Sequence, residues 1–268
     1  MNNRYFCAKE NGKLNYPHTI LTGFGFLASS IAWAIYDPYI TKILNRLLTS
    51  SATITSWSTK LNEAFPKLAE FAAANGQDVA TAAGGITLVP LFIGIIMTFD
   101  NIFGVIFQPT FGKLSDNTHS RFGKRRPYVI FGAPISAVLF AIIPLVAVVS
   151  KSLPLTMLFI ILFVFVMSLW RAPVVALMPD LTPSEIRSEG NAVINLMGGV
   201  GGALGLFAGT IVTAVYCAVT GISSKSPEFN ELNTFPYVFL LGAAVMIIGM
   251  LIILFFVKEP DSRIKIKG

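Results

Sequence analysis

Residues 108–128 read QPTFGKLSDNTHSRFGKRRPY, between two long apolar runs, GITLVPLFIGIIMTFDNIFGVIF (85–107) and VIFGAPISAVLFAIIPLVAVV (129–149). Five cations (Lys113, Arg121, Lys124, Arg125, Arg126) and two glycines (Gly112, Gly123) crowd into this one connector. A chain that crowds its cations between apolar runs puts them where hydrocarbon ends and headgroups begin. The stretch therefore reads as the boundary between two membrane spans.

The rest of the chain agrees. Its 268 residues are 54% hydrophobic and 13% charged, with 22 Phe, and the mean hydropathy is +0.68. Soluble domains carry about a quarter charged residues, so lipid is the solvent implied here. A hydrocarbon core about 30 Å thick takes about 20 apolar residues per helical span. Six windows reach that length: 19–40, 86–111, 128–149, 154–178, 193–220 and 235–257. The predicted fold class is an all-α membrane protein of six transmembrane helices. It divides into a tail at 1–18, a bundle at 19–257 with an outer loop at 41–85, and a basic tail at 258–268.

Charge orients the bundle. Thirteen Lys and Arg fall in the two tails and the second and fourth connectors, against six in the other connectors. Cationic excess marks the cytoplasmic side, so both termini are expected inside, and the N-terminus lacks the pattern of a cleaved signal. Cys7 and Cys217 lie too far apart to suggest a disulfide framework. His18 and His119 match no zinc spacing. No cofactor is expected. No basic face interleaved with aromatics suggests nucleic acid, and no nucleophile or metal constellation suggests an enzyme.

Within the 41–85 loop, Trp57, Leu61, Ala64, Leu68 and Phe71 recur every three or four residues, an amphipathic helix that Pro66 should break or restart. It reads either as a cap over an outward opening or as an interfacial helix. Residues 72–85 (AAANGQDVATAAGG) are expected to form a turn-rich lead-in to the second span.

The opening stretch has a pattern that a plain positive anchor does not need. Gln108, Gly112 and Asp116 are one helical turn apart and share a face. Gly112 suits close approach of another helix, and Asp116 suits an arginine or a helix N-terminus. Residues 121–127 should make a tight turn, with Pro127 in the first turn of the next helix. Its cations sit at headgroup depth, where anionic lipid is a natural partner.

Gln108-Pro109-x-x-Gly112-x-x-Ser115-Asp116, followed by Ser120-Arg121-Phe122-Gly123-Lys124-Arg125-Arg126-Pro127, resembles the loop between helices two and three of major facilitator transporters. It looks most like the sucrose-type branch, related to the glycoside–pentoside–hexuronide:cation symporters. Arg171-Ala172-Pro173, then 176–183 (ALMPDLTP), Arg187 and Asn191-Ala192 resemble that branch's fourth helix and following connector. The resemblance implies a half-bundle of two inverted three-helix units and transport of a sugar with protons in the plasma membrane. It also implies a gate from Gly112, Asp116, Arg121, Gly123, Lys124, Arg125, Arg126, Asp180 and Arg187. Melibiose-type members carry two carboxylates in helix two where this chain has Gly104 and Gln108, so their sodium site is not implied. Family members have twelve spans, so a second six-helix half or a second copy is expected as partner. The rival expectation is a non-transporting scaffold, regulatory half-bundle or truncated fragment.

Charges inside hydrocarbon are costly and usually face a polar cavity. Asp100, midway along the second span, is the candidate proton-coupling group or else a structural partner for Arg171. Trp33 and Asp37, a turn apart, suit a sugar, or else form an interfacial pair before Pro38. Arg171 beside Trp170 belongs to the central cavity by resemblance, or else pairs with Asp180 or Asp116. Gln108, Asn191 and Asn195 complete the candidate substrate-binding set, and the glycines at 198–205 are expected to serve helix packing.

Overall fold

The computed structural model describes residues 5–74 and 85–260. Most of the 72–85 lead-in, Arg4 and the tail cations Arg263, Lys265 and Lys267 lie outside the described residues. The eight α-helices there are α1 (Tyr16–Thr49), α2 (Ala52–Ala64), α3 (Pro66–Ala74), α4 (Val89–Asp116), α5 (Arg126–Ser150), α6 (Leu153–Leu181), α7 (Arg187–Thr220) and α8 (Phe235–Phe256). Six of them (α1, α4, α5, α6, α7, α8) are long and apolar enough to cross a membrane. Among the described residues no strand forms; one isolated bridge joins Ala8 and Leu14.

Proline placement explains where the spans begin. Pro17, Pro90, Pro127, Pro154 and Pro236 each occupy the first turn of a spanning helix, where the missing N–H would have no intrahelical partner anyway. The first span is longer than expected. It does not stop near Ile40 but runs through Pro38 to Thr49. Pro38 removes one backbone bond, but Ile40, Ile43, Leu44, Leu47 and Leu48 keep a buried face at helical spacing beyond it. Pro66 does break the helix in the 41–85 loop, separating α2 from α3. The buried side chains of α2 are Ile54 and Ser58, while Trp57, Leu68 and Phe71 are exposed.

The packing has an internal repeat. α1 packs on α7 and α8, α6 packs on α4 and α5, and α5 packs on α8. Exchanging α1, α4, α5 for α6, α7, α8 maps these contacts onto one another, so two three-helix units interlock. Three spans per unit is odd, so the second unit enters the membrane from the side opposite to the first. The core between them is aromatic: Phe163 of α6 lies 5.4 Å from Tyr36 of α1 and 5.0 Å from Phe140 of α5. Phe140 lies 4.5 Å from Phe239 of α8. Trp170 Nε1 donates to Ser136 Oγ at 2.9 Å, which satisfies the one polar group of the indole.

The glycines of α7 divide by face. A Cβ on Gly205 would lie 2.6 Å from Ala34 Cβ, and one on Gly201 would meet the Leu27 carbonyl at 2.5 Å. Gly199 and Gly202 face open space. Close packing is therefore the role of one stripe only. Gly201→Leu should force α1 and α7 apart and cost about 1–3 kcal/mol or more, whereas Gly202→Leu should leave the melting temperature within a degree or two. Equal melting of the two variants in detergent would contradict this seam.

Candidate transport cavity and polar latch

A cavity of about 770 Å³ opens between α1, α4 and α6. It is lined by Trp33 and Asp37 of α1, Asp100, Asn101, Gly104 and Gln108 of α4, and Arg171 of α6. Five residues singled out from the sequence (Trp33, Asp37, Asp100, Gln108, Arg171) thus meet in one space. Asn191 and Asn195 do not: both are exposed on α7 and neither lines this cavity.

Each member of the cavity is held differently. Asp100 is 6% exposed and accepts a hydrogen bond from the Tyr36 hydroxyl. It forms no ion pair with Arg171 among the described residues. The Arg171 guanidinium sits 5.7 Å from the Trp33 ring, a stacking distance. Trp33 Nε1 and Arg171 Nε are buried and make no hydrogen bond among the described residues, so both donors are unspent. Asp37 is exposed to the cavity mouth. The site therefore offers donors, carboxylate acceptors and an aromatic face. Tyr36, legible in the sequence only as the aromatic neighbour of Asp37, is the residue that holds Asp100.

At one end of the bundle the 108–128 connector closes a polar latch around Arg125, which is 4% exposed. Its Nε donates to Asp180 Oδ2 at 2.8 Å, its Nη2 to Asp116, and its Nη1 to the Gly112 carbonyl at 3.1 Å and to Ser115. Lys124 Nζ lies 3.2 Å from Asp180 and 3.8 Å from Asp116. One guanidinium fork therefore ties α4, the head of α5 and the end of α6, a geometry that a lysine cannot copy. Gly112 contributes through its carbonyl; a Cβ there meets nothing within 4 Å, so no described helix makes the close approach expected at it. Arg121 is exposed over the Phe122 ring, and Arg187 reaches only the Thr182 carbonyl at 3.4 Å.

Glu259, three residues past α8, is the latch member that sequence reasoning missed. Its carboxylate accepts the backbone N–H groups of Lys124 (2.9 Å), Arg125 (3.0 Å) and Arg126 (3.1 Å) at the start of α5. A carboxylate at a helix N-terminus is favoured by the helix dipole. Gly123 turns the chain at φ +94°, and a side chain there would collide with this carboxylate. Arg126 binds the same segment by donating Nη2 to the Leu254 carbonyl.

Burial nevertheless pushes Glu259 above the usual glutamate range, outweighing the three N–H donors. The folded protein then holds this proton more tightly than the unfolded chain, so the group's contribution to stability falls as pH rises through that window. The melting temperature of Glu259→Gln should change less between mildly acidic and neutral pH than the parent's. Parallel pH profiles would contradict a titrating Glu259.

On the opposite end, α2 is clamped to the lead of α4. Asn62 Oδ1 accepts the Ile86 N–H at 2.8 Å while its Nδ2 donates to the Ile86 carbonyl at 3.2 Å, and Ser58 Oγ accepts the Leu88 N–H at 3.1 Å. The segment before α1 is also tied down rather than a free tail. The Cys7 N–H donates to the Leu181 carbonyl at 3.0 Å, and His18 stacks on Phe6 with ring centroids 4.2 Å apart.

Residues 19–268 match the family model described as Major Facilitator Superfamily. The human membrane-associated transporter protein is 30% identical over 153 residues, a match covering 49% of this chain and 28% of that relative. The interlocked three-helix units agree with the half-bundle fold that the sequence resemblance implies. The chain is a multi-pass membrane protein and belongs to the major facilitator superfamily.

Proposed function

We propose that the chain forms half of a secondary transporter that moves a sugar, an oligosaccharide or glycoside, by proton symport. The motifs favour the sucrose-type branch, a plasma-membrane setting and cytoplasmic termini. The observation that carries the reading is the 770 Å³ cavity with Trp33, Asp37, Asp100 and Arg171 around it, a volume in the range of small-molecule sites. A sugar offers apolar ring faces to an indole and hydroxyls to carboxylates and guanidinium. The cavity is walled on one side only. The least buried spans are α4 and α7, whose outer faces show Val105, Ile106, Leu196, Leu206 and Phe207. A second six-helix half or a second copy covering those faces would complete the site.

Asp100 is the coupling candidate because it is the buried carboxylate of the cavity. Desolvation disfavours a charged carboxylate, so a site that alternately floods and drains drives proton exchange. The Arg125 latch holds the cytoplasmic side shut in one of the two access states.

The test is ligand-induced thermal stabilisation of the assembled transporter across a panel of glycosides and oligosaccharides. A sugar that stabilises the parent should bind Asp37→Asn and Arg171→Ala about tenfold more weakly or worse, since each change removes a charge-assisted hydrogen bond. Stabilisation equal to the parent's in both variants removes these side chains from the site. No response to any sugar favours a scaffold.

A further inference from the structure

We propose that the end of the bundle opposite the latch carries a site for an anionic phospholipid, with its phosphate between Arg46 and Lys151 and an acyl chain in the groove between α5 and α8. Two adjoining cavities build it. One, of about 490 Å³, is lined by Arg46 of α1 and Ser50 just after it, Lys151 just past the end of α5, and Asn230 and Asn233 before α8. The other, of about 550 Å³, is mostly apolar, with Ala141, Leu145 and Val148 on one face of α5, Tyr216 on α7, and Tyr237 and Leu240 on α8. The cavities share Val148, Leu232 and Asn233, so the cationic space continues directly into the apolar one.

The charge is free for a ligand. Glu231, the carboxylate in the adjoining pocket, is already taken by Lys42, and Glu228 of the same connector lines neither cavity. Arg46 and Lys151 are exposed, and neither forms an ion pair among the described residues. Ala141 to Lys151 spans about 15 Å of helix at 1.5 Å per residue, so the cation lies above the groove on the same element. Leu145, Tyr237 and Leu240 are 48%, 54% and 58% exposed, an apolar strip without a protein cover. A cation over an apolar channel matches a lipid that has an anionic head and a hydrocarbon tail. A free anion would leave the strip bare, and a neutral lipid would leave both cations unpaired.

Native mass spectrometry of the delipidated protein, titrated with phosphatidylglycerol, phosphatidylcholine or inorganic phosphate, tests this. Phosphatidylglycerol should bind at least about tenfold more tightly than phosphatidylcholine, since two juxtamembrane cations contribute. The double change Arg46→Ala/Lys151→Ala should erase that preference, and Leu145→Trp should weaken phosphatidylglycerol by filling the groove. Lys225→Ala, which removes one exposed cation from the 221–234 connector at the same end, should leave it unchanged. A Lys225→Ala effect as large as the double variant's would mean diffuse surface charge and overturn the proposal. Indifference to Leu145→Trp, with phosphate competing as well as lipid, would mean a plain anion site and also overturn it. Each variant's melting curve confirms that it is folded.

Discussion

Arg125→Ala will lose the latch and with it about 3 kcal/mol of stability, the low end of what breaking a buried ion pair costs. The low end applies because Asp116 stays 53% exposed at its side chain and Lys124 remains 3.2 Å from Asp180. The loss comes from what is stranded. Asp180 loses the nearer of its two cations, whose side chain is only 5% exposed, while the Ser115 hydroxyl and the Gly112 carbonyl lose Nη1 and keep the 2.8 Å hydrogen bond between them. Arg125→Lys should recover only part of the loss, because one ammonium cannot hold the planar, separately aimed donors that the fork gives to Asp180, Asp116 and the Gly112 carbonyl at once. A cysteine probe placed on the latch side should also label faster in Arg125→Ala. Melting within about 1 kcal/mol of the parent, with unchanged labelling, would show that the network is a surface ornament.

Under the proposed sugar–proton symport, Asp100→Asn in the assembled transporter will abolish uphill accumulation while leaving sugar exchange down its gradient. Asparagine keeps the shape and can still accept from Tyr36, but it cannot carry a proton. No second carboxylate stands a turn away to take over, since Gly104 and Gln108 occupy those positions. Tyr36→Phe should shift the pH dependence of uptake without abolishing it, because the hydroxyl touches Asp100 and only tunes it. Accumulation by Asp100→Asn against a gradient would move the coupling role elsewhere.

The spans and their joints were legible because each rests on local chemistry. Twenty apolar residues cannot stay in water, a first-turn proline fixes a helix start, and Gly112 and Asp116 at one-turn spacing must share a face. What failed was tertiary. The length of α1 was hidden because Asp37-Pro38 and Lys42 look like a span's end, whereas the buried stripe from Ile40 to Leu48 carries the helix on. Glu259 looked like one acid in a basic tail; its meaning lies in three N–H groups that only the fold brings to it. Asn191 and Asn195 share a helical face as their spacing says, but that face is not the one turned to the cavity. Trp33, Asp37, Asp100 and Arg171 were legible because charged and indole groups inside apolar windows have few places to go.

Sugar-induced proton movement in proteoliposomes tests the central claim most directly. With the second half present and no imposed gradient, adding a transported sugar outside should raise the external pH, and Asp100→Asn should silence that signal while sugar counterflow continues. Counterflow with no proton signal in the parent, or an undiminished signal in Asp100→Asn, would contradict the account.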